Sequence, residues 1–294
     1  MIDLIAYASR VPDAGETLVG DSFQMGFGGK GANQAVMARL LGAEVMMVNC
    51  LGQDPYGDMT IENFASFGID TTHVGRVPGA SGVAPIWVEP DGTNRIIIIP
   101  GANHALTPDD ARRAIESWPG GGVVLGQLEI PQHVTAAGFA VGRARGATTV
   151  LNPAPAAPLD DELLAAVDWL IPNEVEFAAI SGADAHDDRA MAGFAAGTGA
   201  RLVVTLGARG AALVRSDGSV ERLSAPAVDA ADTTGAGDAF IGAFAYGLAA
   251  GMDEVTAVRL GIACASDSVT RPGTQSSFPG EAAAGRLLAR LSRP

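Results

Sequence analysis

Residues 122–155 read GVVLGQLEIPQHVTAAGFAVGRARGATTVLNPAP. A short apolar run (VVLGQL) is followed by Pro131 and an amphipathic stretch ending at Gly146, and then by a second apolar run (TTVL). Proline opening and glycine closing a periodic segment mark a helix. A strand, a crossover helix and a second strand form a unit of parallel sheet. The same rhythm extends both ways. Upstream lie helix GANQAVMARLLGA, strand EVMMVNCLG, helix PYGDMTIENFASFG ending at Gly68, and helix TPDDARRAIESW. Downstream lie VDWLIPNE, a helix from Glu174, and strand RLVVTLG. A hairpin, AALVRSDGSVERLSAP, turns at Asp217-Gly218, and three helices close the chain. This alternation predicts an α/β fold, a mainly parallel sheet sandwiched by helices.

Two segments break the alternation. Residues 1–27 and 78–100 are strand-like, with turns at PDAGE and EPDGTN and no helix between strands. They predict a small β-sheet lid beside an α/β domain of residues 28–77 and 101–294. RIIIIP is apolar on both faces, so the lid is expected to be covered on both sides: one face over a ligand cleft, the other against a second subunit.

Composition narrows the function. The chain has 294 residues and a formal net charge of −14, which disfavours nucleic acid as a partner. It shows neither a membrane-spanning apolar run nor a secretory leader, and its two cysteines, Cys50 and Cys264, have no paired spacing. A cytoplasmic location with reduced thiols is expected. Among 19 basic residues only Lys30 is lysine, and it lies inside GFGGKGANQ. A compact ammonium among glycines differs chemically from a guanidinium fork, which favours a function here over one stray surface lysine.

Polar residues cluster where the predicted strands end: Glu129 after LGQL, Asn152 after TTVL, Asn173 after WLIP, and Thr205 with Gly207 after RLVV. Ligands of open parallel sheets bind beyond the carboxyl ends of the strands. DTTGAGDAF (232–240) places Gly235, Ala236 and Gly237 at a helix start, where converging N–H groups suit a phosphate. Asp238 in the same turn either stabilises the helix dipole or accepts a hydroxyl proton while the N–H groups hold a phosphoryl group. GFGGKGANQ matches G-x-G-x-x-G but lacks the buried strand leading into it. It reads better as a glycine loop against a polyol, with Lys30 and Asn33 as donors. PNEVE carries Asn173 and Glu176 at capping-box spacing, and Glu176 could also reach water around a nucleotide-bound Mg²⁺. The four histidines show no catalytic or metal-ligand spacing.

Together GFGGKGANQAV, LGQLEI, LNPAPA, PNEVE, VTLGARG, DTTGAGDAF and RPGTQSSFP resemble the ribokinase-like (PfkB) carbohydrate kinases, in unbroken order over nearly the whole chain. The resemblance implies ATP-dependent phosphorylation of a sugar hydroxyl, requiring Mg²⁺ and activated by K⁺, in a homodimer joined through the lid. By position, Asp238 resembles the catalytic base and Gly235, Ala236 and Gly237 the anion hole. Asp3, Gly29, Lys30, Asn33 and Glu129 fall where the family grips the sugar. Asn173, Thr205, Gly207 and Gly210 fall on the nucleotide side with Gly237, and Glu176 near Mg²⁺. Asp232, Thr234, Ser268, Arg271, Gly273 and Ser277 match the cation loop.

One departure stands out. The family begins with a buried strand, whereas here Met1 falls where relatives carry a sugar-contacting asparagine or its substitute. A first core strand of about five residues is expected to be missing. The accompanying expectation is a chain that starts late, which the intact mass of the native protein checks. The implied reaction is D-ribose to D-ribose 5-phosphate. The alternatives are the same chemistry on deoxyribose, another sugar or a nucleoside, and an inactive sugar- or nucleotide-binding regulator.

Overall fold

The computed structural model describes residues 1–291. In chain order the elements are β1 (Ile2–Tyr7), β2 (Ser22–Phe27), α1 (Lys30–Leu40), β3 (Met46–Gly52), α2 (Pro55–Ser66), β4 (Asp70–Val77), β5 (Val83–Val88) and β6 (Asn94–Ile96). Then come α3 (Pro108–Ser117), β7 (Val123–Gly126), α4 (Gln132–Ala144), β8 (Thr148–Leu151), α5 (Asp161–Ala165), β9 (Trp169–Leu170), α6 (Glu174–Ser181) and α7 (Asp188–Thr198). The last are β10 (Arg201–Thr205), β11 (Ala211–Val214), β12 (Val220–Leu223), α8 (Ala236–Ala249), α9 (Glu254–Ser268) and α10 (Glu281–Leu291). Among the described residues no helix is long and apolar enough to cross a membrane.

The main sheet runs β12-β11-β10-β9-β8-β7. β7, β8, β9 and β10 pair in parallel, and the antiparallel hairpin β11–β12 finishes one edge. Successive residues of a strand point to opposite faces, and the core divides accordingly. Leu151, Leu202 and Val204 pack with Phe139, Phe177 and Met191 on the face of α4, α6 and α7. Val150, Trp169 and Val203 pack with Phe240, Phe244 and Val258 under α8 and α9. The α/β sandwich expected from the alternation is what forms. The segment after Asn173 divides into α6 and α7, because Gly182 (φ +69°) terminates the first in a left-handed turn.

β3 and β4 do not join this sheet; they form a separate parallel pair. Between β3 and β7 lies a cavity of about 530 Å³, lined by Met47, Val48, Leu125 and Phe139 among others, with Met1 beside it. Two polar atoms on residues of its wall, Asn49 Oδ1 and Thr135 Oγ1, are buried without a hydrogen-bond partner. Such orphans are rare in a packed interior.

The remaining strands form a four-stranded sheet in the order β2-β1-β5-β6. β1 pairs antiparallel with β2 and parallel with β5. The expected cover of RIIIIP included a second subunit on one face, and within the single chain the run is left partly open. The strand stops at Ile96, and Ile96, Ile97, Ile98 and Ile99 stay 41–54% exposed; Phe23, on the opposite edge strand β2, is 63% exposed. An exposed apolar run of this kind marks an interaction surface.

Candidate active site

The site assembles where β2 ends and α1 and α8 begin. The chain leaves β2 through Gly28 and Gly29. An ideal Cβ on Gly28 would lie 2.2 Å from Asp3 Oδ1, and Gly29 has φ +90° with Met1 N only 3.2 Å from its virtual Cβ. Only glycine lets the loop pass this close to β1. α1 has no side-chain cap of its own. Instead Glu129, in the loop after β7, accepts the Lys30 N–H at 2.8 Å. A carboxylate thus meets the positive end of a helix from across the molecule.

Asp238 lies in the first turn of α8, behind Gly235 at φ +77°. A Cβ on Gly235 would approach Thr274 Cα to 3.2 Å, so glycine is required twice over. The first N–H groups of a helix have no intrahelical acceptor. The Ala236 N–H also approaches Thr233 O at 3.3 Å, within the turn formed by Gly235, Ala236 and Gly237. The Asp238 carboxylate is buried and accepts from Asn33 Nδ2 on Oδ2 and from Gln34 Nε2 on Oδ1, both at 2.9 Å.

The acids here carry raised pKa values. Burial pushes Asp238 up, against the pull of the Lys30 ammonium and the two amide donors. Burial also raises Glu129, opposed by the backbone N–H and charge of Lys30, and raises Glu176, opposed by the Asn173 N–H and Lys30. Asp3 is pushed up to about 6 by burial, with the Met1 amino group opposing and Asp238 adding. Three carboxyls that feel one lysine, and Asp3 coupled to Asp238, each displaced by desolvation and by specific neighbours, form the electrostatic pattern of a functional site.

On the far side, Asn173 and Glu176 form a capping box at the start of α6. Glu176 N donates to Asn173 Oδ1, and Asn173 N donates to Glu176 Oε2, both at 2.8 Å. Thr205 bridges to Asn173 in parallel register. Gly207 (φ +56°) and Gly210 (φ +94°) shape the turn that follows, and a Cβ on Gly210 would fall 2.0 Å from Leu223 O. Asn152 joins the two halves: its Oδ1 accepts from Gln34 Nε2 at 3.2 Å, and its Nδ2 donates to Glu176 Oε2 at 3.4 Å.

The residues expected in a cation loop also come together. Asp232 accepts from Thr234 N and from Gly273 N, each at 2.8 Å. Arg271 N donates to Ser268 O at 3.2 Å, and its guanidinium donates to Ser277 O at 2.7 Å. The fit to a monovalent cation is therefore partial, because the Arg271 side chain already serves the Ser277 carbonyl and is itself cationic. No group of three or more His, Cys, Asp or Glu side chains among the described residues is arranged to hold a metal.

Sequence reasoning missed the amides. Gln34 bonds the Asp238 carboxylate directly, Gln127 connects to it through Gln34, and Asn63 and Gln275 connect to it through Asn33. The one local signal was the adjacent pair Asn33–Gln34, since the partners lie about one to two hundred positions apart.

Residues 1–281 match the profile of the pfkB family carbohydrate kinases. A deoxyribokinase of Salmonella typhi is 41% identical over 285 residues, covering 95% of this chain and 93% of that protein. A ribokinase of Haemophilus influenzae is 38% identical over 270 residues, covering 90% and 88%. Among solved structures, ribokinase from Thermotoga maritima superposes with a TM-score of 0.87 at 35% identity, covering 98% of this chain and 96% of that one. Arabidopsis thaliana ribokinase, complexed with ribose and ATP, superposes at 0.88 with 29% identity, covering 100% and 96%. The chain belongs to the pfkB family of carbohydrate kinases, enzymes that transfer a phosphoryl group to an alcohol of a sugar.

Proposed function

We propose that this kinase phosphorylates the primary hydroxyl of a pentose, D-ribose to D-ribose 5-phosphate, with ATP as donor. The observation that carries the reading is the Asp238 carboxylate, buried in the first turn of α8 beside Gly235 and Gly237. It lies within electrostatic reach of Asp3, Lys30 and Glu129. Asp238 takes the proton of the sugar hydroxyl as the new O–P bond forms. The bond from the γ-phosphorus to the bridging oxygen breaks, and ADP leaves with that electron pair. The N–H groups of Gly235, Ala236 and Gly237 receive the charge on the phosphoryl oxygens. Asp3, Gly29, Lys30, Asn33 and Glu129 orient the sugar; Asn173, Thr205, Gly207 and Gly210 face the nucleotide. Glu176 would face the water shell of a Mg²⁺ bound with the nucleotide, where the ion would offset the phosphate charge. The loop of Asp232, Thr234, Ser268, Arg271, Gly273 and Ser277, several of them through backbone carbonyls, would hold K⁺, which would supply fixed positive charge behind the turn at Gly235.

The second reading is 2-deoxyribose as acceptor, favoured by the 41% identity to a deoxyribokinase. The reading also includes a cytoplasmic homodimer through the lid, supported by the exposure of Phe23 and Ile96–Ile99, with sedimentation velocity as its check. A coupled ADP-release assay over ribose, deoxyribose, fructose and adenosine, with and without K⁺ and Mg²⁺, tests the assignment. Turnover is expected with a pentose and not with fructose or adenosine. Ligand-induced stabilisation without turnover would identify a regulator instead. Asp238→Asn is expected to lower kcat by about 10²–10⁴-fold while leaving the fold intact; full activity in that variant rules out the base.

A further inference from the structure

Two chains of side-chain amides converge on Asp238, and both are polarised towards it. In the first, Asn63 Nδ2 donates to Gln275 Oε1 at 2.9 Å. Gln275 Nε2 then donates to Asn33 Oδ1 at 3.0 Å, and Asn33 Nδ2 to Asp238 Oδ2 at 2.9 Å. In the second, Gln127 Nε2 donates to Gln34 Oε1 at 2.5 Å, and Gln34 Nε2 to Asp238 Oδ1 at 2.9 Å. Asn33, Gln34, Gln275 and Asp238 are all buried. A carboxylate only accepts, so it fixes the direction of every amide behind it. Conversely, an amide free to rotate could present its oxygen to the carboxylate and repel it. Gln275 holds the Asn33 oxygen and blocks that rotation.

Gln275 also sits in the 271–278 loop. There Thr274 Oγ1 donates to Phe27 O at 2.9 Å, and Gly273 N ties to Asp232. The loop, α2 and the end of β2 are thus mechanically joined to the carboxylate of α8. Lys30 on α1, Asp3 on β1, Glu129 after β7, Glu176 on α6 and the Met1 amino group are charged groups facing the same region.

We propose that Gln275 is a positioning residue for phosphoryl transfer: it locks the Asn33 amide, and through it one oxygen of the Asp238 carboxylate, to the 271–278 loop. The proposal rests on Asp238 acting as the base. Oriented donors keep that carboxylate ionised in a buried place and hold its free lone pair towards the acceptor hydroxyl.

The test compares Gln275→Leu, Gln275→Glu, Asn63→Ala and Asp238→Asn in pH profiles of kcat with saturating sugar and ATP, alongside thermal melts. Gln275→Leu is expected to lower kcat about tenfold and to move the acid limb upward by about one pH unit, as a buried acid losing an ordered donor should. Gln275→Glu cannot donate to Asn33 and adds charge, so it falls below the leucine variant. Asn63→Ala shifts both quantities the same way but less, and it keeps the question decidable if a Gln275 variant does not fold. A leucine variant with wild-type kcat and an unmoved acid limb overturns the proposal, and so does one that only lowers Tm. If Asp238→Asn is inactive while Gln275→Leu is silent, the relay alone fails. If Asp238→Asn remains active, the base itself is misassigned and Gln275 has nothing to position.

Discussion

At the scale of single residues, burial sets the chemistry. Asp3 lies beneath Gly28 with its carboxyl pushed up to about 6, chiefly by desolvation. A folded-state pKa above the ordinary carboxyl value means that the folded chain holds the proton more tightly than the unfolded one. The stability this provides is complete below the unfolded value of about 4 and is lost as pH rises through about 6. Asp3→Asn removes the ionisation. Its Tm is expected to exceed that of the parent by about 2–4 °C at neutral pH, with the gap closing near pH 4. Melts of both proteins across that range check the sign, and a gap that does not change with pH contradicts it. On the proposed reading the ionised Asp3 carboxylate accepts a sugar hydroxyl, which offsets this penalty in the complex.

At the scale of elements, the site depends on how closely α1 and α8 approach. Gly242 on α8 sits against α1: a Cβ there would lie 2.4 Å from Gln34 O and 2.9 Å from Met37 Cβ. Gln34 and Asn33 on one helix therefore reach Asp238 on the other. Gly242→Ala forces the helices apart and is expected to destabilise the protein by about 1–3 kcal/mol, as overpacking does. The same displacement loosens both amide contacts, so kcat should fall further than stability alone explains. Chemical denaturation with parallel kinetics separates the two effects. Unchanged stability would mean that the helix pair relaxes freely. The capping box at Asn173 and Glu176 shows how an element can be legible locally while its partner is not: the spacing predicted the cap, but not that Asn152 would reach Glu176 from β8.

At the scale of the whole molecule, the main weakness is the slot between β3 and β7. Two strand edges face an apolar cavity of about 530 Å³, and Asn49 Oδ1 and Thr135 Oγ1 lack partners. An added strand would pair with both edges and bury apolar surface on both faces. Extending the chain upstream of Met1 by an apolar, β-branched strand of about five residues is expected to raise Tm by about 5–10 °C. Calorimetry of the extended and unextended chains decides this, and equal melting temperatures exclude a strand-accepting slot. Because Met1 lines the slot and Gly29 lies against its backbone nitrogen, filling it should also steady the loop before Lys30.

Periodicity and turn chemistry made the α/β alternation, the hairpin at Asp217-Gly218 and the cap at Asn173 readable in the sequence, because each depends on neighbours a few positions away. The motifs around Lys30 and Asp238 also pointed to the chemistry, since glycines and charge at a helix start act locally. Only the tertiary structure decided that the sheet is split, that Ile96–Ile99 remain open, and that Gln275 and Gln127 stand behind the two oxygens of Asp238 through Asn33 and Gln34. Those features depend on which distant strand edges and amides meet, and that is settled by packing across the whole chain rather than by local preference.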